Sequence, residues 1–210
     1  MTMTATQISG RVNRLAAAST GAAVRRVSVR AVALAIAALL TAPLATAGNT
    51  VGSSGAARAA SVRIPHALVS VELRTLDRIN AVRAQHGLRR LSLDGALSHA
   101  ATAHGQQMLS DGYFSHATAV GVDFSRRIAY YYPAGNARLY GVGENILYTE
   151  GAVDAFGIVS RWMESPGHRE NLLSPSWRQL GISVLTVGSA HGVFRGGPAT
   201  VVTVDFGVRA

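Results

Sequence analysis

The residues best suited to chemistry are histidines and carboxylates. His116 closes the segment Gly112-Tyr113-Phe114-Ser115-His116 just after a helical stretch, where Phe114 can anchor the loop and present the imidazole. Glu144 lies in Gly141-Val142-Gly143-Glu144-Asn145, a segment thinned by glycine that lets backbone approach closely. His168 follows Glu164-Ser165-Pro166-Gly167 and stands at the start of a new turn. Each also has a structural reading: a loop histidine can cap or bond backbone, and Glu144 can be a solvated charge beside a strand. His104 falls on an apolar helical stripe, the setting of a core histidine bonded to a neighbour. His66, His86, His99 and His191 have undistinguished settings. The chain has no cysteine, so thiolate chemistry is excluded and any metal must be held by His and carboxylates. Neither H-E-x-x-H nor G-x-S-x-G occurs, and for Ser165, before Pro166, a helix N-cap is a sufficient account.

All 20 basic residues are arginine, and the formal charge is +9. Five of them, Arg11, Arg14, Arg25, Arg26 and Arg30, lie in the first 47 residues, which hold no acid; the rest has 15 arginines against 11 acids, a net +4. The remaining doublets, Arg89-Arg90 and Arg126-Arg127, are not interleaved with stacking aromatics, so no nucleic-acid partner is expected. The apolar run Ala31 to Ala45 follows basic residues and precedes Ala45-Thr46-Ala47, the pattern of a secretory signal over residues 1–47 with an A-x-A cleavage site. The run is shorter than a bilayer-spanning helix needs, so a cleaved signal is favoured over the alternative of a retained membrane anchor, and no stable membrane span is expected after cleavage. Residues 48–66, rich in Gly, Ser and Ala, read as a flexible linker, and residues 67–210 as one folded domain, secreted or held in the cell envelope.

Certain elements must position the candidates. Leu73, Leu76, Ile79, Asn80 and Arg83 share a stripe of a first helix stopped by Gly87. Asp94 can cap a second helix through Ser110, with Leu97, Ala101, His104 and Met108 at the helical period and Gly112 at its end. A third helix is expected over Ala152 to Glu164, with Phe156, Val159 and Met163 on one side. Leu180, Ile182 and Val184 alternate as in a strand, Thr200 to Phe206 is β-branched, and a further strand includes Asn145 to Tyr148. The order implies an α+β domain in which helices cover both faces of a small sheet.

Five blocks, in order, resemble the bacterial branch of the CAP superfamily (cysteine-rich secretory, antigen 5 and PR-1; the SCP domain). They are Arg78 to Leu88, Leu93-Asp94 with Leu97, Tyr113-Phe114-Ser115-His116, Gly143-Glu144-Asn145-Ile146, and Trp162 to Leu173 with Ser165-Pro166-Gly167-His168 inside it. Leu180 to Val184 and Asp205-Phe206-Gly207 resemble the closing strands, so the likeness spans Val71 to Val208. It implies a three-layer α-β-α sandwich with a small, mainly antiparallel sheet. It also implies a ligand cavity of His116, Glu144 and His168, with Glu164 near a second acidic position. Asn145 and Trp162 are implied as supports, one bonding backbone beside the cleft and one packing a helix on the sheet. Ala199 to Asp205 lacks the strand histidine of animal and plant members, so the second cavity histidine is expected to be His168.

Two imidazoles and a carboxylate match Zn²⁺ or another divalent cation, with His116 and His168 as ligands and an open position for water. The leading expectation is a secreted binding module for a divalent ion, a lipid-like small molecule or a cell-envelope component. A metal-assisted hydrolase acting on peptide or cell wall, and an interaction protein whose His/Glu cluster is a satisfied polar network, are the alternatives.

Overall fold

The computed structural model describes residues 71–210 in full, the backbone of helical residues 66–70, and two dipeptides, Thr2–Met3 and Asn13–Arg14. The expected leader and linker otherwise lie outside the described residues. The elements are α1 (His66–Gln85), β1 (Ser92–Leu93), α2 (Gly95–Asp111), α3 (Phe124–Tyr131) and β2 (Leu139–Thr149). After these come α4 (Ala155–Glu164), α5 (Pro166–Leu173), β3 (Gln179–Val187) and β4 (Ala199–Arg209), with a short 3₁₀ turn, Gly192–Phe194, before β4. The strands run β2-β4-β3-β1 across the sheet, antiparallel except for β1, which pairs parallel to β3. The two N-terminal dipeptides pair antiparallel with the other edge of β2.

The central strand β4 is buried from Ala199 to Val208, as its β-branched sequence requires of a strand covered on both faces. Side chains alternate between those faces. Val202, Val204, Phe206 and Val208 join Leu180, Ile182 and Val184 in a core with Ile79, Ile158, Val159, Trp162, Leu172 and Trp177, under α1, α4 and α5. The opposite face packs on α2 and α3, through Met108 with Ile146, Tyr148, Phe194 and Val201, and through Leu97 with Phe124, Ile128, Tyr132 and Val142. This is the α-β-α sandwich with a mainly antiparallel sheet.

Capping explains where the helices begin. The Asp94 carboxylate accepts from the N–H groups of Ala96 and Leu97 at 2.9 and 3.0 Å, satisfying two donors of the first turn of α2. Asp154 accepts from Gly157 N at 2.7 Å, so α4 starts at Ala155 rather than at Ala152 as the pattern suggests. Its buried residues are Ala155, Ile158, Val159 and Trp162, while Phe156 is 62 % exposed beneath the Arg78 guanidinium; the inner stripe is rotated from the expected one. In α1 the inner face is Thr75, Ile79, Asn80, Val82 and Arg83, and Leu73 is exposed. Two helices go beyond the expected three. Helix α3 mixes Arg, Ser and Tyr within eight residues, and α5 opens on Pro166-Gly167, poor interior helix formers that are tolerated in a first turn.

Candidate functional site

The site grows from the α2–α3 side of the sheet. Glu144 on β2 stands directly opposite Asp205 on β4, and both side chains are fully buried. One cation serves both. Asp123 caps α3, and Arg127, one turn further along, turns inward. Its Nη2 donates to Glu144 Oε2, while its Nη1 donates to Ala100 O at 3.3 Å and lies 3.5 Å from Asp205 Oδ2. The other Glu144 oxygen, Oε1, is 2.7 Å from His116 Nδ1. The carboxylate therefore fixes the tilt of the imidazole, with the ring proton on Nδ1 donated to it.

The inner stripe of α2 brings His104 to the same place. Its Nε2 donates to Ser115 O at 2.9 Å, pinning the loop that carries His116, and lies 4.0 Å from Glu144 Oε2. The second imidazole beside the carboxylate is thus His104, where His168 was expected. The reason is geometric: His104 and Glu144 face each other across one side of the sheet, whereas the next strand residue, Asn145, faces the other side.

His168 belongs to that other side, on α5. Asn145 Nδ2 donates to His168 O at 3.1 Å, and Asn171 Nδ2 donates to Asn145 Oδ1 and Glu144 O, each at 3.0 Å. Trp162 packs with ring centroids 6.4 Å from His168 and donates Nε1–H to Ile146 O at 3.4 Å. Ser165 occupies the N-cap position of α5, but its hydroxyl makes no cap bond; Oγ is 2.9 Å from His168 Nδ1. The first-turn imidazole takes that hydroxyl, so the cap expected of Ser165 is not made by its side chain. Glu164 is exposed, on the rim of a shallow depression of about 340 Å³ with Met163, Pro166, Arg169, Glu170 and Leu173. The structure therefore unites His116 with Glu144, links His168 to Asn145, and leaves Glu164 at the surface.

The electrostatics follow from burial around one guanidinium. Burial alone would raise the Glu144 carboxyl, but Arg127, with His116 and His104, outweighs it and holds Glu144 below its ordinary value. Burial lowers His104 to about 4 against a partial pull from Glu144, so this imidazole is neutral. Asp205 goes the other way: burial raises it well above the usual aspartate range, and Arg127 offsets only part of this.

A divalent cation does not fit this arrangement. The carboxylate it would need is engaged by Arg127 and His116, and a dication placed there would face the guanidinium in a medium of low dielectric. Among the described residues no three His, Asp or Glu side chains are placed to hold a metal ion. Arg127 and Asp205 are the members that sequence reading missed. Arg126-Arg127 reads as a surface doublet, but the Asp123 cap four residues earlier was a usable sign that Arg127 lies in an α3 helix. An aspartate inside the β-branched strand Thr200 to Phe206 was a second sign, because strands of this kind are depleted in Asp.

The model of the cysteine-rich secretory protein family, CAP, matches residues 76–206. The chain belongs to this family. Two Bacillus subtilis proteins are similar: the uncharacterized membrane protein YlbC, 33 % identical over 54 % of this chain and 31 % of its own length, and the uncharacterized protein YkwD, 30 % identical over 60 % and 46 %. A solved extracellular protein of Bacillus anthracis containing an SCP domain superposes with a TM-score of 0.50 at 25 % identity, covering 68 % of this chain and 41 % of that one. This CAP chain thus spans less than half the length of each of these relatives.

Proposed function

We propose that this CAP domain is exported and acts as a binding module for a cell-envelope component, recognised on the α4–α5 face. One observation carries the reading: the groups suited to catalysis are engaged with one another. Glu144 is held by Arg127 and His116, His104 by Ser115, and Ser165 by His168, so the cluster braces two loops and helix α5 from within. The adjoining surface combines a charged rim with the apolar side chains of Met163, Pro166 and Leu173, a mixture that a polymer or protein of the envelope can meet. The 340 Å³ depression is rimmed by Glu164, Arg169 and Glu170, and a second, of about 470 Å³, by Asp154 and Arg161. Export is supported by the basic, apolar and A-x-A order of residues 25–47, and among the described residues no helix is long and apolar enough to cross a membrane. The hydrolase alternative gains no support, because the carboxylate offers no open coordination position.

Co-sedimentation with washed envelope fragments of the producing bacterium tests this. The wild type is expected to pellet with the fragments, and the double variant Glu164→Ala/Arg169→Ala to lose about tenfold of that binding, roughly 1.4 kcal/mol. Pelleting no greater than that of an unrelated protein of similar charge refutes the reading.

A further inference from the structure

We propose that Asp205 is a buried proton-binding site: Glu144 and Asp205, opposite each other across β2 and β4 and served by a single guanidinium, hold one proton between them, and it resides on Asp205. The inference does not depend on the envelope-binding reading. It begins from position. Asp205 lies between Glu144 on one side and Gly181 on the other, beneath α2, with no exposed surface. Two carboxylates this close in a medium of low dielectric cannot both ionise beside one cation.

Hydrogen bonding decides which of the two keeps the proton. Glu144 Oε1 is bonded to His116 Nδ1 and Oε2 to Arg127 Nη2, so its charge is stabilised through both oxygens. Among the described residues neither oxygen of Asp205 has a hydrogen-bond partner, and Arg127 Nη1, at 3.5 Å, is aimed at Ala100 O. A buried carboxylate without donors is far more costly than the neutral acid.

No other surrounding group changes this balance. Helix α2 presents His104, which is neutral and whose Nε2 is committed to Ser115 O. The loop after α2 presents His116, bonded to Glu144, and Tyr113; α3 presents only Arg127. From β3 come Gly181 and Ser183, and from β4 itself Thr203, all uncharged. The two hydroxyls are fully buried beside Asp205 and make no bond to another described group, so the strip they form supplies no second positive charge.

The test is a ¹³C titration of the side-chain carboxyl carbons in the full chain labelled at aspartate, with Asp205 assigned by the loss of its signal in Asp205→Asn. The Asp205 carbon is expected to stay at the protonated position well above the ordinary aspartate value of about 3.9. In Glu144→Gln the guanidinium has Asp205 as its only carboxyl partner, and the Asp205 carbon is expected to move to the ionised position at neutral pH. An Asp205 that is already ionised at neutral pH in the wild type, or that titrates near 3.9, overturns the proposal. So does a folded Glu144→Gln protein in which the Asp205 carbon does not move; if that variant fails to fold, the wild-type titration decides alone.

Discussion

Arg127 ties together four parts of the molecule with one side chain: α3, on which it sits, the carbonyl of Ala100 on α2, Glu144 on β2 and Asp205 on β4. Its planar fork permits this, because two nitrogens point at different partners while the group stays charged. Removing it strands the Glu144 carboxylate in the interior with only His116 as a donor. Arg127→Met is therefore expected to lose about 3–5 kcal/mol, the cost typical of breaking a buried ion pair from one side. Arg127→Lys should recover only a minor part, since a single ammonium cannot reach Glu144 and Ala100 O in the same geometry. Urea unfolding of both variants near neutral pH checks this. A Lys variant as stable as the wild type would mean that charge alone, and not the fork, holds the cluster.

At the scale of elements, the site depends on how closely α2 lies on the sheet. Gly181 on β3 sits directly under the helix: a Cβ there would fall 2.0 Å from Ser98 N and 2.1 Å from the Leu97 carbonyl carbon, both backbone atoms that no rotamer can move. Gly181→Ala is expected to push α2 outward and cost about 4 kcal/mol or more, a size that marks a steric fault in the core. A thermal midpoint within a few degrees of wild type would contradict this packing. Much of this geometry is legible in the sequence, because strong local signals and the ordered motifs agree. The Asp94 cap, the Leu97–Ala101–His104–Met108 stripe and the alternation of Leu180, Ile182 and Val184 all describe elements that form as written. What escapes a linear reading is pairing between distant segments. The facing of Glu144 and Asp205 exists only once β2 and β4 are in register, and Arg127 gains its role only when α3 folds beneath α2. Helix α5 is hidden for a different reason. Its hydrophobic pattern is weak, and its support comes from elsewhere: Arg83 on α1 donates to Leu172 O at 2.7 Å and Ser174 O at 2.9 Å, placing a cation at the negative end of the helix.

For the whole molecule, the buried cluster makes stability a balance of opposite responses to pH. His104, lowered to about 4 by burial, stays neutral in the folded chain while an unfolded histidine takes up a proton near 6.5. The unfolded state thus binds more protons between these values, and acidification across this window destabilises the fold by about 3 kcal/mol. Glu144, held low, adds to that loss further down, as pH falls below the ordinary glutamate value of about 4.3. Asp205 works in reverse: raised in the fold, it keeps a proton that the unfolded chain has released above about 3.9, so its contribution is largest in acid and fades as pH rises through its folded value. Wherever the Asp205 window above about pH 3.9 overlaps the His104 window, the two responses oppose each other, and the profile is shallower there than His104 would give alone. Asp205→Asn, which mimics the neutral acid, should leave the acid sensitivity of His104 uncovered and steepen the loss of stability on acidification. His104→Gln, which can still donate to Ser115 O, should tilt the profile the other way, becoming relatively more stable toward acid. Urea midpoints of the three proteins at about pH 4.5, 5.5 and 6.5 read these slopes directly, and parallel profiles would show that neither buried group changes its protonation on folding.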